Sequence, residues 1–210
     1  MRITVISDTH GLHEDLNLEQ GDMLIHAGDI EARIEYDFDR FLRWFSKQPF
    51  EYKVLVGGNH DFYLEREYYR AREECFLQDV CYLNHNAAQI NGLRIFGSPY
   101  TPRFGRWAFM KDRGLDISEY WKAMPDDMDI LITHGPPIGI LDKVSMAYGG
   151  HNVGCWDLRE RVKTIKPKYH IFGHIHSQYG TEEIDGTKYI NCSVVNEEYA
   201  LTNAPIKIDI

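Results

Sequence analysis

Clusters of histidine, aspartate and asparagine recur along this chain of 210 residues, which contains ten histidines. Imidazole and oxygen donors without thiolate suit Mn²⁺, Fe or Zn²⁺, whereas Ca²⁺ prefers more oxygen ligands. A single cluster such as Asp8-Thr9-His10 is also ordinary turn chemistry and is not specific by itself. Several clusters brought together would bind metal ions. The clusters are Asp8-Thr9-His10, Gly28-Asp29, Gly58-Asn59-His60-Asp61, His134-Gly135 and Gly173-His174-Ile175-His176.

Each cluster follows a short apolar run of the kind that forms a buried strand. Ligands bind beyond the carboxyl ends of the strands in open α/β sheets, because the loops converge there. The five clusters are therefore expected to meet at one site. The predicted strands are Met1–Ser7, Asp22–Ala27, Lys53–Val56, Asp129–Thr133 and Lys168–Phe172.

Helical and hairpin patterns lie between and after these strands. Apolar residues at i, i+3, i+4 and i+7 predict amphipathic helices, and Asn-Gly and Asp-Gly pairs predict hairpins. Alternating strands and helices with added hairpins indicate an α/β sandwich around a mixed sheet. No repeat or linker divides the chain, so we expect one domain over residues 1–210. The predicted elements are helices over 38–45, 65–74 and 158–165, hairpins at Asn91-Gly92 and Asp185-Gly186, and a closing strand over 206–210.

The composition limits the class of protein. The chain is 43% hydrophobic and 26% charged, and its net charge of −9 argues against an extended basic groove for nucleic acid. A phosphate-bearing ligand would need a local attraction such as a metal. No stretch is apolar and long enough to cross a bilayer, and the first residues resemble a core strand rather than a signal peptide. The four cysteines form no CxxC pair, so we expect a reduced, cytoplasmic protein. Nothing in the sequence predicts its oligomeric state.

The five clusters, in this order, resemble the signature of the calcineurin-like metallophosphoesterases. That signature runs DxH, GD, GNH[DE], a later His-Gly and GHxH, and all five parts are present between residues 8 and 176. The resemblance implies a calcineurin-like α/β/β/α sandwich with mixed sheets and a dinuclear metal site at the carboxyl ends of the strands. Segments 24–30, 97–106, 130–137, 153–155 and 166–180 are similar to the metallophosphoesterase-domain-containing group, which resembles class III cyclic-nucleotide phosphodiesterases.

The resemblance also implies which residues bind the two divalent ions, expected to be Mn²⁺, Fe²⁺/Fe³⁺ or Zn²⁺. Some members of the group carry Gly in place of His174, but this chain keeps the histidine and should bind both ions. A hydroxide shared by the ions would attack phosphorus, while His60 assists the leaving group. Two ions, two aspartates and one hydroxide leave a charge of about +1, which attracts a phosphodiester anion. The implied ligands are Asp8, His10, Asp29 and His176 for one ion, and Asp29, Asn59, His134 and His174 for the other, with Asp29 bridging.

The expected substrate is a small phosphodiester or nucleotide, such as a cyclic nucleotide. Residues 100–114 mix basic and aromatic side chains that would hold a phosphate and stack on a base. We expect contacts from Arg103, Arg106 and Trp107 there, and from His151 in a glycine-containing loop. The other interpretation of residues 100–114 is a surface loop anchored to the core by its aromatic side chains.

Four alternatives compete with a phosphodiesterase. A protein phosphatase carries GDxVDRG, but residues 28–34 read GDIEARI, with Ala32 and Ile34 at two signature positions. A phosphomonoesterase would use the same metal site. A nuclease would need a groove for DNA, which an acidic chain of this length does not suggest. A non-catalytic metal-binding scaffold typically lacks a ligand or the GNH histidine, and here all of them are present.

Overall fold

A computed structural model covers residues 1–210 and contains thirteen strands and five α-helices. The strands are β1 (Arg2–Ile6), β2 (Gly21–His26), β3 (Phe50–Val56), β4 (Cys81–Leu83), β5 (Asn86–Ile90), β6 (Leu93–Ser98), β7 (Thr101–Pro102), β8 (Met110–Lys111), β9 (Ile130–Thr133), β10 (Tyr169–Phe172), β11 (Gly180–Ile184), β12 (Thr187–Asn191) and β13 (Ile206–Asp209). The helices are α1 (Glu35–Ser46), α2 (Phe62–Arg66), α3 (Tyr68–Leu77), α4 (Leu115–Lys122) and α5 (Trp156–Ile165).

The strands form two large mixed sheets and one short ribbon. The first sheet has the order β13-β1-β2-β3-β4, in which β1 to β4 are parallel and β13 is antiparallel to β1. The second has the order β11-β12-β10-β9-β6-β5, in which the four inner strands are parallel and both edge strands are antiparallel. Strands β7 and β8 form the ribbon. Within each sheet, the carboxyl ends of the parallel strands lie at one edge.

Three buried clusters stack helices and sheets into four layers. Isoleucines of both sheets, among them Ile25 of β2 and Ile132 of β9, share the cluster between the sheets. Leu24 of β2 belongs to the cluster that contains Phe41 of α1. The third cluster joins the second sheet to α4 and α5 and includes the fully buried Trp121. These layers confirm the α/β/β/α sandwich, and they follow from strand side chains that alternate between two apolar faces.

The local patterns predict most elements, with one helix divided. Both hairpins form, and their Asn-Gly and Asp-Gly turns place all four residues at positive φ, as such turns require. The tail forms β13 beside β1. The charged segment 65–74 contributes to two helices, α2 and α3, because regular helix stops at Glu67. No helix has both the length and the apolar character needed to cross a lipid bilayer.

Two buried histidines lie in apolar surroundings away from the strand ends. Both ring nitrogens of His13 are without a hydrogen-bond partner, and the ring packs between Phe41 and Trp44. His170 has Nε2 2.8 Å from Thr133 Oγ1, while its Nδ1 is unpaired. Burial lowers the pKa of His13 to about 4 and that of His170 to about 3. The folded protein therefore favours the neutral form of both rings.

We expect the metal-free protein to lose stability as the pH falls from 7 to 5. The pKa of histidine in the unfolded chain is about 6.5, whereas the pKa values of these two histidines in the folded protein are lower. Between these pKa values the unfolded state binds more protons than the folded state, so lowering the pH favours unfolding. The loss is about 1–2 kcal/mol per histidine by pH 5. Urea unfolding of wild type and His13→Phe at both pH values measures it, and the variant should lose part of the pH dependence. An identical pH dependence in both proteins would contradict this expectation.

Candidate metal centre

The seven predicted ligands meet where strands of both sheets end. Asp8 follows β1, Asp29 follows β2 and Asn59 follows β3, while His134 and His174 follow β9 and β10. Four backbones in this region adopt left-handed conformations that are uncommon for residues with side chains and cluster at functional sites. They are Asp8 (φ 55°), His10 (φ 42°), Asp29 (φ 58°) and His174 (φ 70°).

One group of candidate ligands contains Asp8, His10 and His176. Their ligand atoms all lie within 4.8 Å of one another. The Nε2 atoms of His10 and His176 are 3.3 Å apart, and His176 Nε2 is 3.6 Å from Asp8 Oδ1. The structure thus brings together three of the four residues predicted to hold the first ion.

A second group contains Asp29, His134 and His174, again with ligand atoms within 4.8 Å. Asn59 joins it, because its Oδ1 is 3.0 Å from His134 Nε2. Asp29 Oδ2 is 3.3 Å from His134 Nε2 and 3.8 Å from His10 Nε2, so this carboxylate lies between the two groups. That is where a bridging ligand belongs, and the bridging role itself stays a prediction.

The outer nitrogens of three histidines have partners that orient the rings. His134 Nδ1 donates to the carbonyl oxygen of Ala27 at 3.0 Å, and His176 Nδ1 donates to that of Asn196 at 3.1 Å. His10 Nδ1 donates to the Glu31 carboxylate at 2.9 Å. Each ring therefore turns Nε2 toward the cluster, as is usual for histidines that bind metals. With carboxylate and amide oxygens beside them, these donors fit divalent ions such as Mn²⁺, Fe²⁺ or Zn²⁺.

Ionisation within the cluster also suits metal binding. Burial tends to raise the pKa of Asp8, but the hydrogen bond and charge of His176 outweigh burial and lower it. Burial tends to lower the pKa of His134, yet the neighbouring Asp29 carboxylate raises it to about 9. The pKa of His174 falls to about 3 through burial and the charge of His134. In the metal-free protein, protons on neighbouring histidines compensate the negative charge of the buried carboxylates, and bound divalent ions would take the place of those protons.

Two signature glycines are required because other groups approach them closely. A Cβ atom at Gly173 would lie 2.0 Å from Ser7 Oγ and 2.1 Å from Asp8 Oδ2. A Cβ atom at Gly58 would lie 2.3 Å from Asp29 Oδ1. Any larger residue would push the carboxylates of the cluster out of position.

Asp61, the last residue of the Asn59-His60-Asp61 cluster, joins two of the ligand loops. Its buried carboxylate accepts from the backbone N–H groups of Gly58 at 2.8 Å, Ala32 at 3.0 Å and Asp29 at 3.1 Å. Burial and the Asp29 charge raise its pKa to about 6, against the effect of these donors. Asp61 therefore fixes the loops after β2 and β3 relative to each other.

His60 has a carboxylate partner that sequence reasoning missed. Its Nδ1 donates to Glu31 Oε2 at 2.9 Å, and the same oxygen accepts from His10 Nδ1. Glu31 therefore links a predicted ligand to the predicted proton donor. Burial tends to lower the pKa of His60, but Glu31 and Asp29 raise it. The sequence signal for this partner is an acidic residue two positions after Asp29. The left-handed backbone of Glu31 (φ 70°) is what brings its carboxylate to His60.

His26 supports the cluster from behind and belongs to neither group of candidate ligands. Its Nε2 is 3.0 Å from Thr9 Oγ1, and its Nδ1 accepts from the N–H group of Gly28 at 3.2 Å. The ring also packs edge-on against Phe41 of α1. His26 thereby connects the loops after β1 and β2 to the helix layer.

A cavity of about 580 Å³ opens over the cluster. Its walls include Arg103, Trp107 and His151, three of the four predicted substrate contacts. Arg106 is exposed but does not line the cavity, so its position does not support the predicted contact. Trp107 stacks on His60, with ring centroids 4.5 Å apart and planes at 17°. One face of the indole is thus covered by His60, and the exposed ring of Phe104 is freer to meet a substrate.

Comparisons with known proteins agree with this geometry. Residues 1–178 match the family model described as calcineurin-like phosphoesterase. Human metallophosphoesterase domain-containing protein 1 is 36% identical over 232 residues, spanning 100% of this chain and 71% of the human protein.

Two solved structures share the fold. The phosphopantetheinyl hydrolase PptH of Mycobacterium tuberculosis is 15% identical with a TM-score of 0.62, covering 94% of this chain and 90% of its own. TT1561 of Thermus thermophilus is 15% identical with a TM-score of 0.63, covering 90% of this chain and 88% of its own. The family match, the identity to the human protein and the arrangement of the ligands agree. The chain belongs to the calcineurin-like phosphoesterase family, the metal-dependent phosphoester hydrolases.

Proposed function

We propose that the protein is a phosphodiesterase that acts on small phosphodiesters, with cyclic nucleotides among its substrates. The observation that carries the proposal is that both groups of candidate ligands and His60 face one cavity with exposed aromatic walls. The connecting segments that resemble the phosphodiesterase-type group support the same choice. Ala32 and Ile34, which interrupt the protein-phosphatase motif, argue against a protein substrate.

Asp8, His10, Asp29 and His176 would hold one divalent ion, and Asp29, Asn59, His134 and His174 the other. When bound, such ions supply Lewis-acid charge to a phosphoryl group and lower the pKa of bound water to near neutrality. The imidazole-rich donors favour Mn²⁺, iron or Zn²⁺ over Ca²⁺. The four cysteines are unpaired, which supports a reducing, cytoplasmic compartment.

His60 is suited to protonate the leaving oxygen. Its Nδ1–H group is occupied by Glu31, which leaves Nε2 as the nitrogen available to a substrate. The Trp107 ring stacked on the imidazole limits its rotation. The Glu31 and Asp29 carboxylates raise the pKa of His60, which favours the protonated ring, the form that can donate a proton from Nε2.

The cavity suits a nucleoside carrying one phosphate better than a polyphosphate. Phe104 and Tyr148 line it and are more than half exposed, so each offers a face to a base. Both arginines that line the cavity already have partners. Arg103 pairs with the Asp112 carboxylate, and Arg113 donates to the backbone carbonyl oxygens of Val153 and Gly154. A second phosphate would therefore meet no free arginine in this cavity.

Diesters are expected to be hydrolysed at least about tenfold more efficiently than monoesters, a difference of about 1.4 kcal/mol in the barrier. A monoester dianion would bind strongly to the charge of two metal ions already in the ground state, and such binding does not lower the barrier. A diester carries only one negative charge and would be held less strongly before reaction. The measurement is kcat/KM for bis-nitrophenyl phosphate and nitrophenyl phosphate at matched metal and pH. Faster hydrolysis of the monoester would contradict the phosphodiesterase assignment and leave the metal site unaffected.

The nucleotide part of this prediction has its own variant. Phe104→Ala should raise KM for a cyclic nucleotide by about tenfold, because loss of a stacked ring costs about 1–3 kcal/mol. KM for methyl nitrophenyl phosphate, which has no base, should change little. Phe76→Ala, at an exposed phenylalanine of α3, is the matched control. If Phe104→Ala raised KM equally for both substrates, Phe104 would not stack on the base.

A further inference from the structure

Tyr199 contributes to the cavity from a part of the chain that the family model does not cover. The match to that model ends at residue 178, and the motif residues all precede it. Residues 197 and 199 nevertheless line the cavity together with Asp29, His60 and His174. The position of Tyr199 therefore lies outside the five motifs of the signature.

The ring of Tyr199 lies against two candidate ligands of the same ion. Its centroid is 4.7 Å from that of His10 at an interplanar angle of 77°, and 5.3 Å from that of His176 at 90°. Both contacts are edge-to-face, so the ring borders the first group of ligands without covering it. A phosphoryl group bound beside His10 and His176 would therefore lie next to this tyrosine.

The backbone at Tyr199 is held in an unfavourable conformation. Its φ of 60° is in the left-handed region, which is a clear outlier for a bulky side chain. Asn196 maintains the turn. Its side-chain Oδ1 accepts hydrogen bonds from the backbone N–H groups of Glu198 and Ala200, and its backbone carbonyl oxygen accepts one from the N–H group of Tyr199. That same carbonyl oxygen accepts from His176 Nδ1. One turn thus positions both the ligand and the tyrosine.

The Tyr199 hydroxyl makes no hydrogen bond within the protein, whereas the hydroxyls of Tyr169 and Tyr179 both donate to backbone carbonyl oxygens. Tyr199 lines the cavity, and its ring lies against His10 and His176 of the first ligand group, so its side chain borders the space that a phosphoryl group would occupy. A phenol with its ordinary pKa of about 10 is already a hydrogen-bond donor at neutral pH. The donor is free and beside the candidate metal site.

We propose that Tyr199 is a catalytic residue whose hydroxyl donates a hydrogen bond to a non-bridging oxygen of the phosphoryl group. This inference rests on the proposed phosphoesterase function. Negative charge grows on those oxygens during attack at phosphorus, so a fixed donor stabilises the transition state more than the bound substrate. The strained backbone is consistent with a side chain placed for function rather than for stability.

The test compares Tyr199→Phe, Tyr199→Asn and wild type, each loaded with Mn²⁺. Tyr199→Phe keeps the ring against both histidines and removes only the hydroxyl. We expect kcat/KM for bis-nitrophenyl phosphate to fall about 10–100-fold, as for loss of one hydrogen bond to a charged group, with unchanged metal content. By calorimetry, the Kd for inorganic phosphate should rise about fivefold or more. Tyr199→Asn should lose activity similarly while its Tm stays equal or rises, because Asn tolerates the left-handed backbone.

Two outcomes would overturn the proposal. If Tyr199→Phe retains the wild-type kcat/KM and phosphate affinity, the hydroxyl has no role. If Tyr199→Phe or Tyr199→Asn instead loses metal in proportion to activity, the residue only supports His10 and His176. If metal-loaded wild type hydrolyses no phosphoester, the proposed function fails, and the phosphate affinities still test the contact. Tyr69→Phe, at an exposed tyrosine of α3, is the matched control.

Discussion

Removing divalent metal should abolish phosphoester hydrolysis and lower Tm by about 5–10 °C. Both groups of candidate ligands are assembled from loops that follow strands of the two sheets, so an ion bound there joins segments distant in sequence. A ligand that binds only the folded state stabilises it by about 2.7 kcal/mol at a concentration of one hundred times its Kd. In a protein of this size, each kcal/mol shifts Tm by about 2–4 °C. Chelation followed by a thermal melt measures the effect.

Metal stoichiometry separates the two predicted sites. Wild type should bind two ions, and His174→Ala should bind one, because His174 lies only in the group with Asp29 and His134. His151→Ala, at an exposed histidine of the cavity wall, should still bind two ions and serves as the control. Full activity and an unchanged Tm after chelation would be incompatible with a metal-dependent mechanism.

Metal binding should also release protons. The Asp29 carboxylate raises the pKa of His134 to about 9, so its ring is protonated at neutral pH in the metal-free protein. An ion can occupy Nε2 only after that proton leaves, so the apparent affinity should fall as the pH is lowered. Calorimetry in two buffers of different ionisation enthalpy counts the released protons. An affinity independent of pH between 6 and 8 would show that His134 is not a ligand.

Patterns in the sequence predict the framework because they reflect local physics. Residues 1–7 and 129–133 are short, largely apolar runs rich in β-branched residues, which suit strands buried in a sheet, and the residues after each run lie at the sheet edge. The Asn91-Gly92 turn is determined by its own positive φ requirement. Convergence of the clusters at one edge then follows from the parallel order of the strands.

The supporting residues depend on tertiary contacts that no local pattern contains. Glu31 meets His60 because its backbone turns left-handed just after Asp29, and Tyr199 reaches the cluster through a turn held by Asn196. Trp107 lies in a segment where the basic and aromatic residues suggest substrate contacts, yet its ring packs on His60. Residue types and spacing identify the donors, while the packing around them decides which neighbours orient the reactive group.

His60→Asn should lower kcat by about 10²–10⁴-fold with metal content and KM nearly unchanged, which is the usual range for a positioned acid or base. His60 lines the cavity and its Nδ1 is occupied by Glu31, which leaves Nε2 to act on the substrate. The effect should depend on the leaving group. A nitrophenolate leaves readily without a proton, whereas the alkoxide of a nucleoside does not, so the loss should be larger for a cyclic nucleotide. A variant that instead loses its metal would identify His60 as a ligand.

Glu31→Gln completes this test, because Glu31 contacts both His60 and His10 at 2.9 Å. If it acts by orienting His60, the variant should lose about 10–100-fold in kcat, and the double variant with His60→Asn should be no slower than His60→Asn alone. If it acts through His10, the losses should multiply and metal content should fall. Glu35→Gln, at an exposed carboxylate paired with Arg70, is the matched control. Non-additivity with full metal content therefore assigns Glu31 to positioning the proton donor, and additivity assigns it to the metal site.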